Sequence, residues 1–378
     1  PAYQEAVMDL SLTPDQELLR NTAREFVRRD CPKEALLDMD TTDLGYSEEV
    51  WQKLADIGWL GMLVPESYGG SGNTLTDAAV VYEELGRGPV PGPHFSSGVL
   101  GALAVLEAGT EEQKQETLPQ VAAGREVLAL AITEPDYGWG ADQVRMTAVQ
   151  SNGSYVLNGT KLFVHDALGA THFICAVRTD QGVSLLVVDA RASGVAVRSL
   201  SGFMTSVGEV TFDSVSVPQS ALLGEPANDG WAALERAMLK AIPVLGAYQV
   251  GGCNAVFDLS VEYSRTREQF GTPIGRLQRV QDHIINLVNR LDAARWSTYE
   301  ALWKLDSGQP AEASVHMSKA VASEGYLWAC NYAHEVHAGV GIVREYGLTL
   351  HTRMSRTLYH FLGDPKFHKR RLGDALDL

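Results

Sequence analysis

Residues 264–281 read SRTREQFGTPIGRLQRVQ, a stretch in which a long apolar helical segment ends in two arginines, a glutamine and a phenylalanine before a Gly and a Pro. Over 231–263 apolar residues recur at helical spacing, and Phe270, Gly271 and Pro273 are expected to end that helix. Basic side chains suit the negative end of a helix dipole, so Arg265 and Arg267 taken alone have an ordinary electrostatic reading. Beyond them the helical period resumes over 277–305 and 311–337, with a last helix near 348–361. Segments of this length pack side by side, and the C-terminal part is predicted to be a four-helix bundle.

Working back from the bundle, the period changes. VLALAIT, YVLNGTKLFVHD, THFICAV, VSLLVVD, GVAVRSL and GEVTFDSVSV, all between 127 and 217, are short, β-branched and separated by Gly, Asn and Asp. They predict a compact antiparallel β region closed by Pro218 and Gly224. The first third is helical: Thr13, Pro14 and Gln16 make a capping box, and Leu18, Leu19, Thr22, Phe26 and Val27 fall on one face. Similar patterns follow at 50–57, 78–85 and 97–107, and Thr110 with Gln113 opens a further helix. Asp229 is placed to cap the long helix after the β region. The reading is an α+β protein of three domains: 1–126 helical, 127–228 β, 229–378 helical bundle. This order excludes a doubly wound nucleotide fold with its GxGxxG turn, so a bound nucleotide is held in another way.

The 378 residues are 45% hydrophobic with a formal charge of −16, enough apolar material for a large core and the wrong sign for a nucleic-acid partner. No apolar run approaches the ~18 residues of a membrane span. The first thirty residues carry Glu5, Asp9, Asp15 and Glu17 rather than a basic-then-apolar leader. Cys31, Cys175, Cys253 and Cys330 form no CxxC pair, so neither a metal nor a redox couple is expected, and the compartment predicted is reducing and cytoplasmic.

Four segments, in order along nearly the whole chain, resemble the acyl-CoA dehydrogenase family. RTREQFGTPIGRLQRVQ is similar to its R-x-Q-F-G-x-P-I signature with the downstream glutamine. LALAITEPDYGWGAD resembles the T-E-P segment, LNGTKLFVHDA the N-G-x-K-x-(W/F)-(I/V) strand, and EVHAGVGIVREYG the Q-x-H-G-G-x-G turn. The resemblance implies a helical domain, a β domain and a four-helix bundle, FAD as cofactor, an acyl-CoA substrate, an electron-transfer flavoprotein as acceptor, and a homo- or hetero-tetramer.

It also implies roles for individual residues. Arg267 would reach the FAD pyrophosphate of a neighbouring subunit as a forked, permanently charged donor. Gln269 and Phe270 would line the same FAD, with Gln278 nearby. Ile132 and Thr133 would meet the flavin ring edge, Phe163 would cover a ring face, and His165 would approach N5, where family members often carry Thr. Without the resemblance Phe163 reads as a core aromatic and His165 as a surface turn residue. Gly339 and Gly341 would let backbone approach the adenosine side, although a helix C-cap and turn also account for them. Glu335 stands where the family has glutamine, and Ala338 replaces the first glycine. A carboxylate there would be repelled by a pyrophosphate.

The family reaction removes the α proton of an acyl thioester with a carboxylate while hydride leaves the β carbon for flavin N5. The commonest family position for that carboxylate, directly before a glycine in the last helical region, is Leu362 in LYHFLGDPKF. A second placement falls on Ala241, and a variant of it on Tyr248. Asp364 is the nearest acidic candidate for the catalytic base, and a turn-forming Asp before Pro365 is its other reading. Glu235 is acidic but supported by no motif. Three hypotheses stay open: a complete dehydrogenase with a displaced base at Asp364, one subunit of a heteromeric acyl-CoA dehydrogenase of the kind whose LGDPKFHKRRL-like tail it shares, and a non-catalytic FAD- or acyl-CoA-binding scaffold.

Overall fold

In the computed structural model, which describes residues 8–204, 206–225 and 229–378, the capping box at Thr13 forms: Gln16 N donates to Thr13 Oγ1 (3.2 Å) and Thr13 N to Gln16 Oε1 (3.0 Å). Glu5 and the boundary drawn at 228 lie outside the described residues. The box starts α1 (Pro14–Asp30), followed by α2 (Lys33–Met39), α3 (Glu48–Asp56), α4 (Leu75–Arg87), α5 (Ala102–Ala108) and α6 (Glu111–Ala122). Thr74 with Asp77 and Thr110 with Gln113 repeat the box at α4 and α6. The seven-residue α2 was not anticipated, being too short to show a helical period.

The sheet comprises β1 (Leu128–Ala131), β2 (Thr147–Ser151), β3 (Ser154–Val164), β4 (His172–Thr179), β5 (Gly182–Asp189), β6 (Val195–Ser199) and β7 (Gly208–Pro218), in the order β1-β4-β2-β3-β7-β6 with β5 on β4. The pairs β2–β3, β3–β7, β4–β5 and β6–β7 are antiparallel, as expected. Two parallel pairings add to that reading: β1 on β4, and Thr147 of β2 on Arg178 of β4. A tight hairpin forces antiparallel neighbours, whereas the chain between β1 and β4 is long enough to cross over. The β3–β7 register slips between Lys161 and Val164. The irregularity carries Phe163 at φ +52, re-aiming that side chain out of the strand's alternation.

Asp229 caps the bundle's first helix, accepting from Trp231 N (3.0 Å) and Ala232 N (3.2 Å). The helices are α7 (Gly230–Thr266), α8 (Gln278–Asp306), α9 (Glu312–His337), α10 (Leu348–Tyr359) and α11 (Pro365–Ala375). α7 also packs on α4, backbone to backbone: a Cβ on Gly251 would sit 1.7 Å from Glu83 O, and one on Gly86 1.9 Å from Tyr248 O. Any side chain at either position would drive the helices apart. One apolar core therefore runs through both helical parts, and a second fills the sheet. All four cysteines are buried and free. Among the described residues no helix is long and apolar enough to cross a membrane, and no cluster of potential metal ligands occurs.

Candidate active site

A cavity of about 730 Å³ lies between the end of β1, the bulged end of β3 and the helices α7, α9 and α11. Its β wall is a pinned turn. Ile132 and Thr133 follow β1, and Leu162 N donates to Thr133 O (2.8 Å), tying the turn to β3. Lys161, fully buried, donates to Ile132 O (3.2 Å), Glu134 Oε1 (2.7 Å) and Ala176 O (2.6 Å). Burial pulls the lysine's pKa down, opposed by its bond to Glu134. Arg145 N and Met146 N donate to the same carboxylate at 3.1 and 3.0 Å.

Phe163 stands at the cavity mouth between Tyr137 (ring centroids 5.7 Å) and Phe203 (6.1 Å). His165 is buried and stacks on Phe361 at 3.7 Å with an 18° interplanar angle. That placement overturns the surface-turn reading. Desolvation pushes its pKa down to about 3, so the imidazole is neutral. Asp166 is buried beside it, accepts from Ser96 Oγ (2.5 Å), and is raised by desolvation to about 6.

The helix wall carries polar groups to which the motifs assigned no role. Arg371 of α11 lies 3.4 Å from Glu235 of α7 and 3.3 Å from Glu312 of α9. Behind them His368 Nε2 bonds Leu362 O (2.9 Å), and His368 Nδ1 meets His316 Nδ1 (2.9 Å). A carbonyl only accepts, so His368 carries its proton on Nε2 and His316 donates from Nδ1. Burial pushes both imidazoles down, to about 3 and about 4. Lys319, fully buried on α9, donates to Ser323 Oγ (2.7 Å) and Leu358 O (3.1 Å), and desolvation lowers it to about 7 against the pull of Asp364.

Between α10 and α11 the chain passes through Phe361, Leu362, Gly363 and Asp364. Leu362 is buried in the cavity wall at φ +61, with Gly363 at +103. Asp364 also faces the cavity, but its Oδ1 accepts from Phe367 N (2.7 Å), capping α11 with Pro365 at the first helical position. Of the other positions weighed for a base, Ala241 and Tyr248 are buried within α7.

The remaining predicted residues lie elsewhere. α7 stops at Thr266, just past the apolar run that ends at 263 and ahead of the breakers Phe270, Gly271 and Pro273, because Arg267 turns extended (ψ 124) and leads into a two-stranded hairpin, β8 (Glu268–Gln269) and β9 (Thr272–Pro273). Phe270 and Gly271 form its tip at φ +55 and +74, the twist that two-residue hairpins favour. Arg267 and Gln269 are exposed, and Phe270 is 91% exposed. Gln278 opens α8 and is exposed. Glu335 is exposed near the end of α9, and Gly339 and Gly341 lie in the 3₁₀ turn Ala338–Ile342. A Cβ on Gly339 would meet nothing within 4 Å, whereas one on Gly341 would lie 2.9 Å from His334 Nδ1. The single chain thus gathers Ile132, Thr133, Phe163, His165, Leu362 and Asp364 around one cavity. Arg267, Gln269, Phe270, Gln278, Glu335, Gly339 and Gly341 are not among its lining.

An apolar slot edged by a pinned peptide turn fits a planar heteroaromatic ring. The hairpin presents an exposed guanidinium and an exposed aromatic, groups that pair with phosphate and stack on rings. The exposed Glu335 carboxylate does not suit a phosphate neighbour.

Helical parts before and after a sheet, with an apolar slot beside a pinned turn, suit a protein that holds a planar cofactor. Three family descriptions match successive parts of the chain: acyl-CoA dehydrogenase N-terminal domain over 13–125, middle domain over 129–215 and C-terminal domain over 228–376. The chain belongs to the acyl-CoA dehydrogenase family, oxidoreductases that act on CH–CH bonds of acyl-CoA. It is 30% identical over 374 residues to acryloyl-CoA reductase (NADH) of Anaerotignum propionicum, spanning 96% of this chain and 94% of that one. Among solved structures it is similar to the ChsE4-ChsE5 complex from Mycobacterium tuberculosis (TM-score 0.89, 26% identity, 98% of this chain and 99% of that one). It is also similar to PigA with FAD and proline (TM-score 0.90, 28% identity, 98% and 100%).

Proposed function

We propose that this chain is an FAD-dependent subunit of a heteromeric acyl-CoA dehydrogenase, forming a 2-enoyl-CoA with a base supplied outside position 362. The observation that carries the proposal is Leu362. The backbone there keeps a strained wall position beside the cavity, but the side chain is aliphatic and accepts no proton. Of the carboxylates that do face the cavity, Glu235 and Glu312 pair with Arg371, and Asp364 caps α11 through Oδ1, which leaves its Oδ2 as the lone pair to be tested as a base in this chain.

FAD, when bound, supplies the two-electron acceptor. Ile132 and Thr133 would hold the edge of its ring and Phe163 would cover a face, while neutral His165, held by its stack on Phe361, would lie beside it. Arg267, Gln269 and Phe270 are exposed and line no part of their own cavity, and they would complete a neighbour's site. Gln278, Gly339 and Gly341 belong to that outer part of the site. Likeness to a solved two-component complex supports the heteromeric reading. An electron-transfer flavoprotein is the proposed acceptor.

The test is dye reduction by an acyl-CoA with the chain purified alone and with co-expressed homologues from the same genome. Turnover only in a pairing is the expected result. Turnover by the chain alone, lost in Asp364→Asn, would replace the heteromer with a displaced base. A colourless, inert chain in every pairing would leave a scaffold.

A further inference from the structure

We propose that Lys161 is a positioning residue for the cofactor, acting through one peptide group to strengthen the Thr133 N–H as a hydrogen-bond donor at the ring slot. The proposal rests on the flavin reading above.

An ammonium has three hydrogens, and Lys161 spends them on Ile132 O, Glu134 Oε1 and Ala176 O. The Ile132 carbonyl and the Thr133 N–H are the two ends of one peptide unit. A cation bonded to the oxygen draws electron density across the conjugated C–N bond and makes the N–H a better donor, the polarisation seen along hydrogen-bonded chains. The neighbouring groups are fixed as well. Thr133 O takes Leu162 N, and Glu134 takes Arg145 N and Met146 N besides Lys161. Through this pinned turn the Thr133 N–H has no hydrogen-bond partner among the described residues, and Thr133 lies in the cavity wall.

A buried N–H without an acceptor is destabilising. The group that satisfies it is a ring edge bearing carbonyl oxygen or imine nitrogen, as the pyrimidine edge of a flavin does. Negative charge that gathers on this edge when the ring is reduced is stabilised by a stronger donor, so Lys161 should favour the reduced cofactor. A purely structural ion pair predicts nothing of the kind, since replacing both partners of a buried pair is often neutral for stability.

The experiment measures flavin content and midpoint potential in the co-expressed complex. The pair Lys161→Met with Glu134→Gln removes the cation without stranding a carboxylate. It should lose at least tenfold in preference for reduced over oxidised flavin, a fall of about 30 mV for a two-electron couple. Glu134→Gln alone leaves the ammonium uncompensated and should move the potential the opposite way, which keeps a signed test if the pair variant does not fold. Lys161→Arg, retaining the charge, should restore most of the wild-type value. Unchanged potentials at equal flavin content overturn the inference and leave the dehydrogenase reading intact. Wild type without flavin in every pairing would defeat that reading instead.

Discussion

Arg267 shows how differently one residue reads from sequence and from structure. A basic side chain at a helix end was electrostatically ordinary, and only its neighbours gave it a role. In the fold it occupies the turn out of a 37-residue helix, solvent-exposed, beside a hairpin tip whose Phe270 has almost no contact with its own chain. Replacing Arg267 with Ala should lower flavin content per chain severalfold with no change in melting temperature, read from flavin absorbance against protein. Lys at that position should recover only part, because an ammonium lacks the planar fork that matches paired phosphates. Full occupancy in the Ala variant would remove Arg267 from the site. Lys161 was legible only as a motif letter. Its role needed coordinates, because its partners Ile132, Glu134 and Ala176 come from segments 15 to 29 residues away.

At the level of elements, the long helices and most strands were legible because burial imposes a period on them. β2 escaped because four of its five residues are exposed, so no alternation marks it. The hairpin after α7 escaped because two residues per strand are too few for any period, and its turn uses Phe-Gly rather than the usual Asn-Gly. α11 is the instructive miss. Asp364 and Pro365 are an N-cap and a first-turn proline, but KFHKRRLGDA is so basic that its apolar face is faint. The cap gives Asp364 two separable roles. Asp364→Asn keeps an acceptor for Phe367 N and should melt within a few tenths of a kcal/mol of wild type, whereas Asp364→Ala should lose about 1 kcal/mol by urea titration. If Asn abolishes turnover while retaining stability, the carboxylate is chemical as well as structural. If Ala melts like wild type, the capping bond contributes nothing.

Across the whole molecule the cavity joins residues as distant as Ile132 and Arg371, and nothing in the local pattern of either announces the other. The same burial stores a pH dependence. His94, His165, His316, His351 and His368 are held neutral by desolvation, at about 4, 3, 4, 4 and 3. In the unfolded chain each titrates near ~6.5. Below that pH the unfolded state binds protons that the folded state refuses, so stability is full above it and falls as pH drops toward 4. Asp166 works against this: raised to about 6, it holds a proton when folded that the unfolded carboxyl releases down to its ordinary value of 3.8, offsetting about one imidazole. The imidazoles outnumber it. Each fully neutral one contributes about 1.4 kcal/mol per pH unit in the window, so the urea midpoint should drop clearly between pH 7 and pH 5. Replacing His316 and His368 together with Gln removes two of these five groups while keeping side-chain donors and acceptors, and with Asp166 offsetting one of the five it should flatten that drop by about half. A midpoint that holds steady from pH 7 to pH 5 in the wild-type chain would mean that these rings take up protons in place, and that the hydrogen-bond chain from His316 through His368 to Leu362 does not fix them in the neutral form.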